Sequence, residues 1–305
     1  MVHIYPSYYK DFHCIGSRCR HNCCVGWEID IDSDTYLKYK KTDGEMGERL
    51  ESGIVHGDEP HFKCRDNGRC VFLNESNLCD IITELGEEHL CTICAEHPRF
   101  TNELPDRYEH GLGLCCEEAA RIILTREERV TFTEASTDDE VIMLRDRVIE
   151  ILQKRQDDID TRCESALAEC GIVLPKRSAS EWAEYFLSLE RLDDRWGAIL
   201  VSVKDTDESS RGTSDVPPHI WENLLVYFVY RHMANAADTE DSAYRLAFAV
   251  LSYRMIAAAS AVTGEDAVDL CRLYSAEIEY STDNTEAVLD ELYFFCEELK
   301  NEFSF

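Results

Sequence analysis

Positive charge is what this chain has least of. Its 305 residues carry 31 Lys and Arg against 61 Asp and Glu, a formal net charge of −30. A general basic face, the electrostatic footprint of nucleic-acid binding, is thereby excluded. The acidic surface suits solubility or salt adaptation, and it would also attract a lysine-rich protein. Long apolar runs are missing too. No uninterrupted run approaches the roughly 18 residues of a membrane helix, so no membrane partner is expected. The opening "MVHIYPSYYKDFHC" has a proline, tyrosines and charges where a secretory signal would have an apolar segment. These absences predict a cytoplasmic protein, whose thiols stay mostly reduced. Phosphate-cradling loops are absent as well: there is no G-x-G-x-x-G and no G-x-x-x-x-G-K-[ST]. "HGLGLCC" offers only alternating glycines with no strand before it.

Cysteine is what the chain has in excess, and unevenly. Eleven of its 15 cysteines and eight of its ten histidines lie within residues 1–116. Charge is also uneven. Residues 1–130 hold 15 basic and 25 acidic side chains, net −10; residues 131–305 hold 16 and 36, net −20. This predicts a mainly α protein: a cysteine-rich, metal-stapled module of short elements over 1–130, then an acidic helical domain over 131–305 that holds a substrate or partner.

The second region is rich in helical periodicity. In "SEWAEYFLSLERLDDRWGAIL", Trp182, Tyr185, Phe186, Leu189, Leu192, Trp196 and Ile199 recur at three- and four-residue steps, predicting one buried helix face. "VPPHIWENLLVYFVYRHM" starts a helix at proline. "SAYRLAFAVLSYRMIAAASAV" predicts a buried helix stopped by Gly264. "TEAVLDELYFFCEELK" adds an amphipathic helix, residues 139–170 a helix or helix pair, and residues 204–217 a polar loop. In the first region, a short helix is expected around Tyr36–Tyr39 with Asp34 as its cap. A helical turn in "EHLCTICAEHP" should end at Pro98, and a helix should begin near Cys116. Bound metal would substitute for a large core there.

The cysteines run Cys14-x4-Cys19-x3-Cys23-Cys24, then Cys64-x5-Cys70-x8-Cys79-x11-Cys91-x2-Cys94, then Cys115-Cys116. Soft sulfur suits zinc or iron. Zinc takes about four ligands in a tetrahedron, and an iron–sulfur cluster typically takes four cysteines. Spacing alone leaves the two open. Metal is favoured over a disulfide framework by the reducing compartment. Adjacent cysteines seldom ligate one ion together, so one of Cys23 and Cys24 should face the metal while the other packs. The C-x3-C-x2-C radical-cluster motif is absent, because position 26 is Gly26. Cys91 and Cys94 form the single C-x2-C, short of a zinc-finger pattern.

"YPSYYKDFHCIGSRCRHNCCVGWEIDIDSDTYLKY", "RCVFLNESNLCDIITELGEEHLCTICAEHPRF" and "CCEEAARIIL" together resemble the flagellin lysine-N-methylase family of the FliB type, in that family's order and spacing, over much of residues 5–124. The resemblance implies methyl transfer from S-adenosylmethionine to lysine ε-amino groups of flagellin, or of another lysine-bearing protein. It also implies a [4Fe–4S] cluster, with Cys14, Cys19, Cys23, Cys24, Cys70, Cys79, Cys91, Cys94 and Cys116 as candidate ligands. Cys64 and Cys115 are additions. Val71 and Glu117 stand where the family usually has proline. Lysine methylation itself needs a deprotonated amine, a sulfonium and in-line geometry rather than iron. A cluster would therefore orient the cofactor's methionine part or reductively cleave it.

Around the cysteines, Tyr8, Tyr9, Phe12 and Trp27 offer rings for adenine or for a lysine chain, or simply packing. Asp30, Asp32 and Asp34 alternate and would share one face if extended. His97 is a candidate base, ligand or hydrogen-bond partner of a thiolate. Arg99 is a candidate clamp for the cofactor carboxylate. The catalytic candidates are thus His97, Tyr8 and Tyr9, and the cofactor-binding candidates are Arg99 and Trp27.

Overall fold

The structure is a computed structural model describing residues 1–206 and 215–302, with 297–302 described by backbone alone. It is mainly helical and resolves into two compact units. One comprises Met1–Phe12, Thr101–Cys115 and Ala119–Phe305; the other comprises His13–Phe100 and Cys116–Glu118. The cysteine distribution suggested a single cut at residue 130. The contacts instead carry the chain out of the helical unit after Phe12 and back into it at Thr101. The reason is non-local: Val2–Ile4 pairs in parallel with Arg107–Leu112, in register Val2↔Arg107, His3↔Tyr108 and Ile4↔Glu109. Arg99–Glu103 lies on the other side of Arg107–Leu112, completing a three-stranded sheet.

The helical unit is built round Thr239–Thr263, which packs on Pro218–Met233, Asp194–Asp205, Ala267–Tyr274 and Thr282–Glu302. By length and composition Thr239–Thr263 could cross a membrane, yet 72% of its most apolar window is buried inside the protein, as expected of a core helix. Asp238 caps its start by accepting from Asp241 N at 2.9 Å. Gly264 ends it at φ +69°, a left-handed position that glycine fills without a Cβ penalty. Residues 139–170 form the expected pair, Glu140–Leu152 and Ile159–Glu169.

One expectation fails. "SEWAEYFLSLERLDDRWGAIL" is two helices, Ala179–Phe186 and Asp194–Asp205. Between them, Glu190 N donates to Asn284 Oδ1 at 3.1 Å and Leu192 N to Glu277 at 2.9 Å. Tertiary acceptors satisfy amides that a continuous helix would satisfy internally. Leu192, assigned to the buried face, is 66% exposed. Of the polar loop expected over 204–217, residues 207–214 lie outside the described residues.

The smaller unit has short elements, as expected, but also an apolar core. Ile29, Leu50, Ile54, Phe62, Phe72 and Ile81 are buried together in it. Strand His61–Phe62 is flanked by Ile29–Asp30 and Ile54–Val55, both antiparallel. Helix Gly44–Gly53 supplies Met46 and Leu50. Packing therefore holds a region for which bound metal was expected to substitute. Asp32, not Asp34, caps Ser33–Tyr39: it is extended at φ −60°, ψ 152°, and accepts from Thr35 N at 2.9 Å. Because the helix starts at Ser33, Asp30, Asp32 and Asp34 do not form one extended face.

Candidate metal centre

Two tight connections bring distant cysteines together in the smaller unit. Cys70 N donates to Cys24 O at 2.8 Å, and Gly26 N to Gly68 O at 2.9 Å, so the first cysteine group lies along the second. Gly68, at φ +74°, makes the turn that returns Arg69 opposite Val25. A second turn, Asn74–Leu78, closes with Leu73 bridged to Cys79. Asn74 Oδ1 accepts from Ser76 N and Leu78 N, and Asn77 sits at φ +57°. Cys79 then begins helix Asp80–Leu85, and Cys91 begins helix Thr92–Glu96, which carries Cys94.

Cys70 and Cys91 are consequently buried in the core cluster, with Cys24, Cys79 and Cys94 packed against it. Their charges interact. Cys24 senses Cys70 and Cys79, and Cys94 senses Cys24 and Cys79. Two pairs share hydrogen bonds: Cys94 with Cys91, and Cys24 with Cys23. Within each pair, that bond raises the first thiol and lowers the second. Burial raises Cys70 to about 11, against the pull of the Phe72 and Leu73 amides. Burial also raises Cys79, and the Ile82 and Ile81 amides draw it back. Neither Cys79 nor Cys91 closes a cap hydrogen bond.

The remaining candidate ligands are elsewhere. Cys14 is exposed, its sulfur accepting from Gly16 N at 3.4 Å. Cys19 lies with Cys116 and Glu117, and burial raises it to about 12. Glu117 takes Arg20 N at 2.8 Å and His21 N at 3.1 Å, pinning the segment between Cys19 and Cys23. Cys64 is exposed and donates to Trp27 O at 3.5 Å. The adjacent pair Cys115–Cys116 is parted, Cys115 falling in the helical unit. Of the neighbouring pair, Cys24 packs with the other thiols while Cys23 is exposed.

His97 is the C-cap of the helix Thr92–Glu96 that carries Cys94. Its Nε2 is buried with no hydrogen-bond partner among the described residues, and burial lowers the ring to about 4, so it is neutral at pH 7. Trp27, 6.3 Å away, donates Nε1–H to Cys23 O at 2.6 Å. Arg99 is half-buried at the start of its strand. Tyr8 and Tyr9 belong to the helical unit. Tyr8 is 2% exposed, and Tyr9 lies 5.0 Å from Tyr5.

Clustered thiols and an orphaned neutral imidazole are the donors a soft ion prefers. The chemistry fits zinc or iron–sulfur. The closed geometry is not formed: among the described residues no three His, Cys, Asp or Glu side chains are arranged as a metal site.

The sequence reading did not find a second polar centre, inside the helical unit. The π-helical turn Ser275–Glu279 delivers Glu279 into the core. There Glu279 accepts from Tyr227 at 2.7 Å and meets His232 at 2.9 Å and Arg231 at 3.2 Å. Apart from Ser275, four residues before it, these partners sit 47 or more residues away, beyond any local pattern.

Comparison with known proteins adds the following. Residues 178–301 match the family described as the FliB lysine N-methylase C-terminal domain. A lysine-N-methylase of Salmonella choleraesuis (strain SC-B67) is 28% identical over 149 residues, covering 42% of this chain and 34% of that protein. The lysine-N-methylase of Salmonella typhimurium (strain LT2) matches to the same extent. A flagellar biosynthetic protein FliU of Salmonella muenchen is 27% identical over 149 residues, 42% of this chain and 80% of that protein. The match thus spans about a third of the length of the curated lysine-N-methylases. No solved structure matches.

Proposed function

We propose, for a chain related to the FliB-type lysine N-methylases, that it transfers methyl groups from S-adenosylmethionine to lysine ε-amino groups of flagellin or a similar protein. A thiol-bound centre, a [4Fe–4S] cluster ahead of zinc, would serve that transfer. The observation that carries this is the gathering of Cys24, Cys70, Cys79, Cys91 and Cys94 in one core of the smaller unit, which also holds a buried, unpartnered His97 Nε2. Those residues would hold the centre, with Cys23 hydrogen-bonded to Cys24. When bound, an iron with an open position supplies a chelating point for the donor's amino and carboxylate groups.

What the chain's own residues do follows from their chemistry. Burial raises both Cys70 and Cys79, and the amides around them offset part of that rise, towards the thiolate form that a metal needs. Trp27 offers an exposed ring next to His97, suited to stacking on a flat base. The acidic helical unit suits a lysine-bearing partner. Fifteen free cysteines fit a reducing, cytoplasmic setting.

The test is anaerobic purification followed by addition of S-adenosylmethionine. A brown protein whose spectrum changes with the donor, and which labels lysine in flagellin, supports the reading. A colourless protein that neither binds the donor nor labels lysine would sink it.

A further inference from the structure

One face of the small sheet in the helical unit has an unusual composition. Strand alternation turns Ile4, Asn102, Arg107 and Glu109 inward, and leaves His3, Thr101, Tyr108 and His110 on the other side. On that side His3 Nδ1 lies 2.8 Å from His110 Nε2, and His110 Nδ1 lies 3.0 Å from Thr101 Oγ1. The two imidazoles are coplanar to within 2°, so the bond between them lies in the ring plane. Tyr5 stacks on the pair, 4.6 Å from His110 at 12° and 6.4 Å from His3 at 13°. Tyr9 tilts against both Tyr5 and His110, and Tyr108 against His3.

This chain of three groups admits two arrangements. In one, His3 Nδ1–H donates to His110 Nε2 and His110 Nδ1–H donates to Thr101 Oγ1, leaving the lone pair of His3 Nε2 open. In the other, Thr101 donates, every bond reverses, and His3 Nε2 carries a proton. Concerted transfer through the chain interconverts them. A proton taken at His3 Nε2 moves one from His3 to His110 and one from His110 to Thr101, and the Thr101 hydroxyl proton leaves to water. His3 and Thr101 are both exposed, so both ends of the chain are open.

We propose that this face receives a lysine side chain of a protein substrate, with His3 Nε2 as the acceptor of its ammonium proton. The ring faces of Tyr5, Tyr9 and Tyr108 attract a cation electrostatically. The chain's net charge of −30 draws lysine-bearing proteins towards it. The lysine N–H bond breaks, the His3 Nε2–H bond forms, and the amine keeps the electron pair that methyl transfer requires. The assignment rests on the lysine-methylation reading for its purpose, although binding and proton acceptance can be measured without it.

The experiment observes the imidazole nitrogens of the intact 15N-labelled chain by long-range 1H–15N NMR. The protein is titrated with Nα-acetyl-lysine methylamide and, separately, with the norleucine analogue. The lysine probe should give saturable shifts at His3 Nε2, and the norleucine probe none. Equal shifts with both probes, or none with lysine, would overturn the proposal. Thr101→Val removes the outlet for the proton and leaves the rings in place. It should preserve lysine-probe binding within about twofold, and lower lysine labelling at least tenfold in wild-type-active preparations. Unchanged labelling would overturn the relay. A wild-type chain that binds the lysine probe but methylates nothing would refute the methylation reading and leave this site standing.

Discussion

Glu279 is the residue on which the helical unit's charge balance turns. Burial alone would raise its carboxyl, but Arg231, His232 and Ser275 outweigh burial and hold it at about 2, against an ordinary 4.5. The folded state therefore binds fewer protons than the unfolded state between those values. The stability Glu279 contributes is complete above pH 4.5 and is lost as pH falls through about 2. Glu279→Gln should flatten the acid limb of the unfolding curve. At neutral pH it should cost about 3–5 kcal/mol by leaving Arg231 buried without its partner, read from the urea midpoint. A steep acid limb in the variant would contradict this. Val71 is a second case. Its amide donates to Lys63 O at 3.1 Å, a bond that the proline expected there from the family resemblance could not make. Val71→Pro should lower stability by about 1 kcal/mol. The other departure from proline, Glu117, is an anchor for two amides, so its replacement should loosen the segment around Cys19–Cys23.

At the scale of elements, Asp32 couples two helices. It caps Ser33–Tyr39 and accepts from both Thr92 N at 2.9 Å and Thr92 Oγ1 at 3.0 Å, fixing the start of the helix that carries Cys94. Asp32→Ala should cost about 1–2 kcal/mol and slow metal uptake, while Asp34→Ala should do neither. Equal effects would return the cap to Asp34. Gly113 has a steric role: a Cβ there would lie 1.9 Å from the Tyr280 hydroxyl. Gly113→Ala should displace Tyr280 and lower the melting temperature by several degrees, about 1–3 kcal/mol of overpacking. Helices were legible where proline or glycine punctuates them, as at Pro218 and Gly264. The break between Phe186 and Asp194 was not, because apolar spacing runs straight through it while Asn284 and Glu277 make it. Two-residue strands such as His61–Phe62 carry no period to read.

At the scale of the molecule, the sequence divides by composition and the structure by contact. Cysteine density marked the cysteine-rich region, but nothing local announces that Thr101–Cys115 returns to pair with Val2–Ile4. The cysteine candidates were legible as a set. Which of them pack on one core depends on the turns at Gly68 and Asn74–Leu78, which no spacing rule reveals. In the Cys23–Cys24 pair, Cys24 packs on the core of the smaller unit and Cys23 is exposed. The helical half looked like no more than helices, yet it is the half that matches a described C-terminal domain.

The most direct test is the iron and acid-labile sulfide content of anaerobically purified protein, in wild type, Cys79→Ser and Cys163→Ser. About four irons per chain are expected in wild type. They should be lost in Cys79→Ser and kept in Cys163→Ser, whose thiol is buried among helices. Metal-free wild type, or full iron retained by Cys79→Ser, would contradict a centre held by the thiols of the smaller unit.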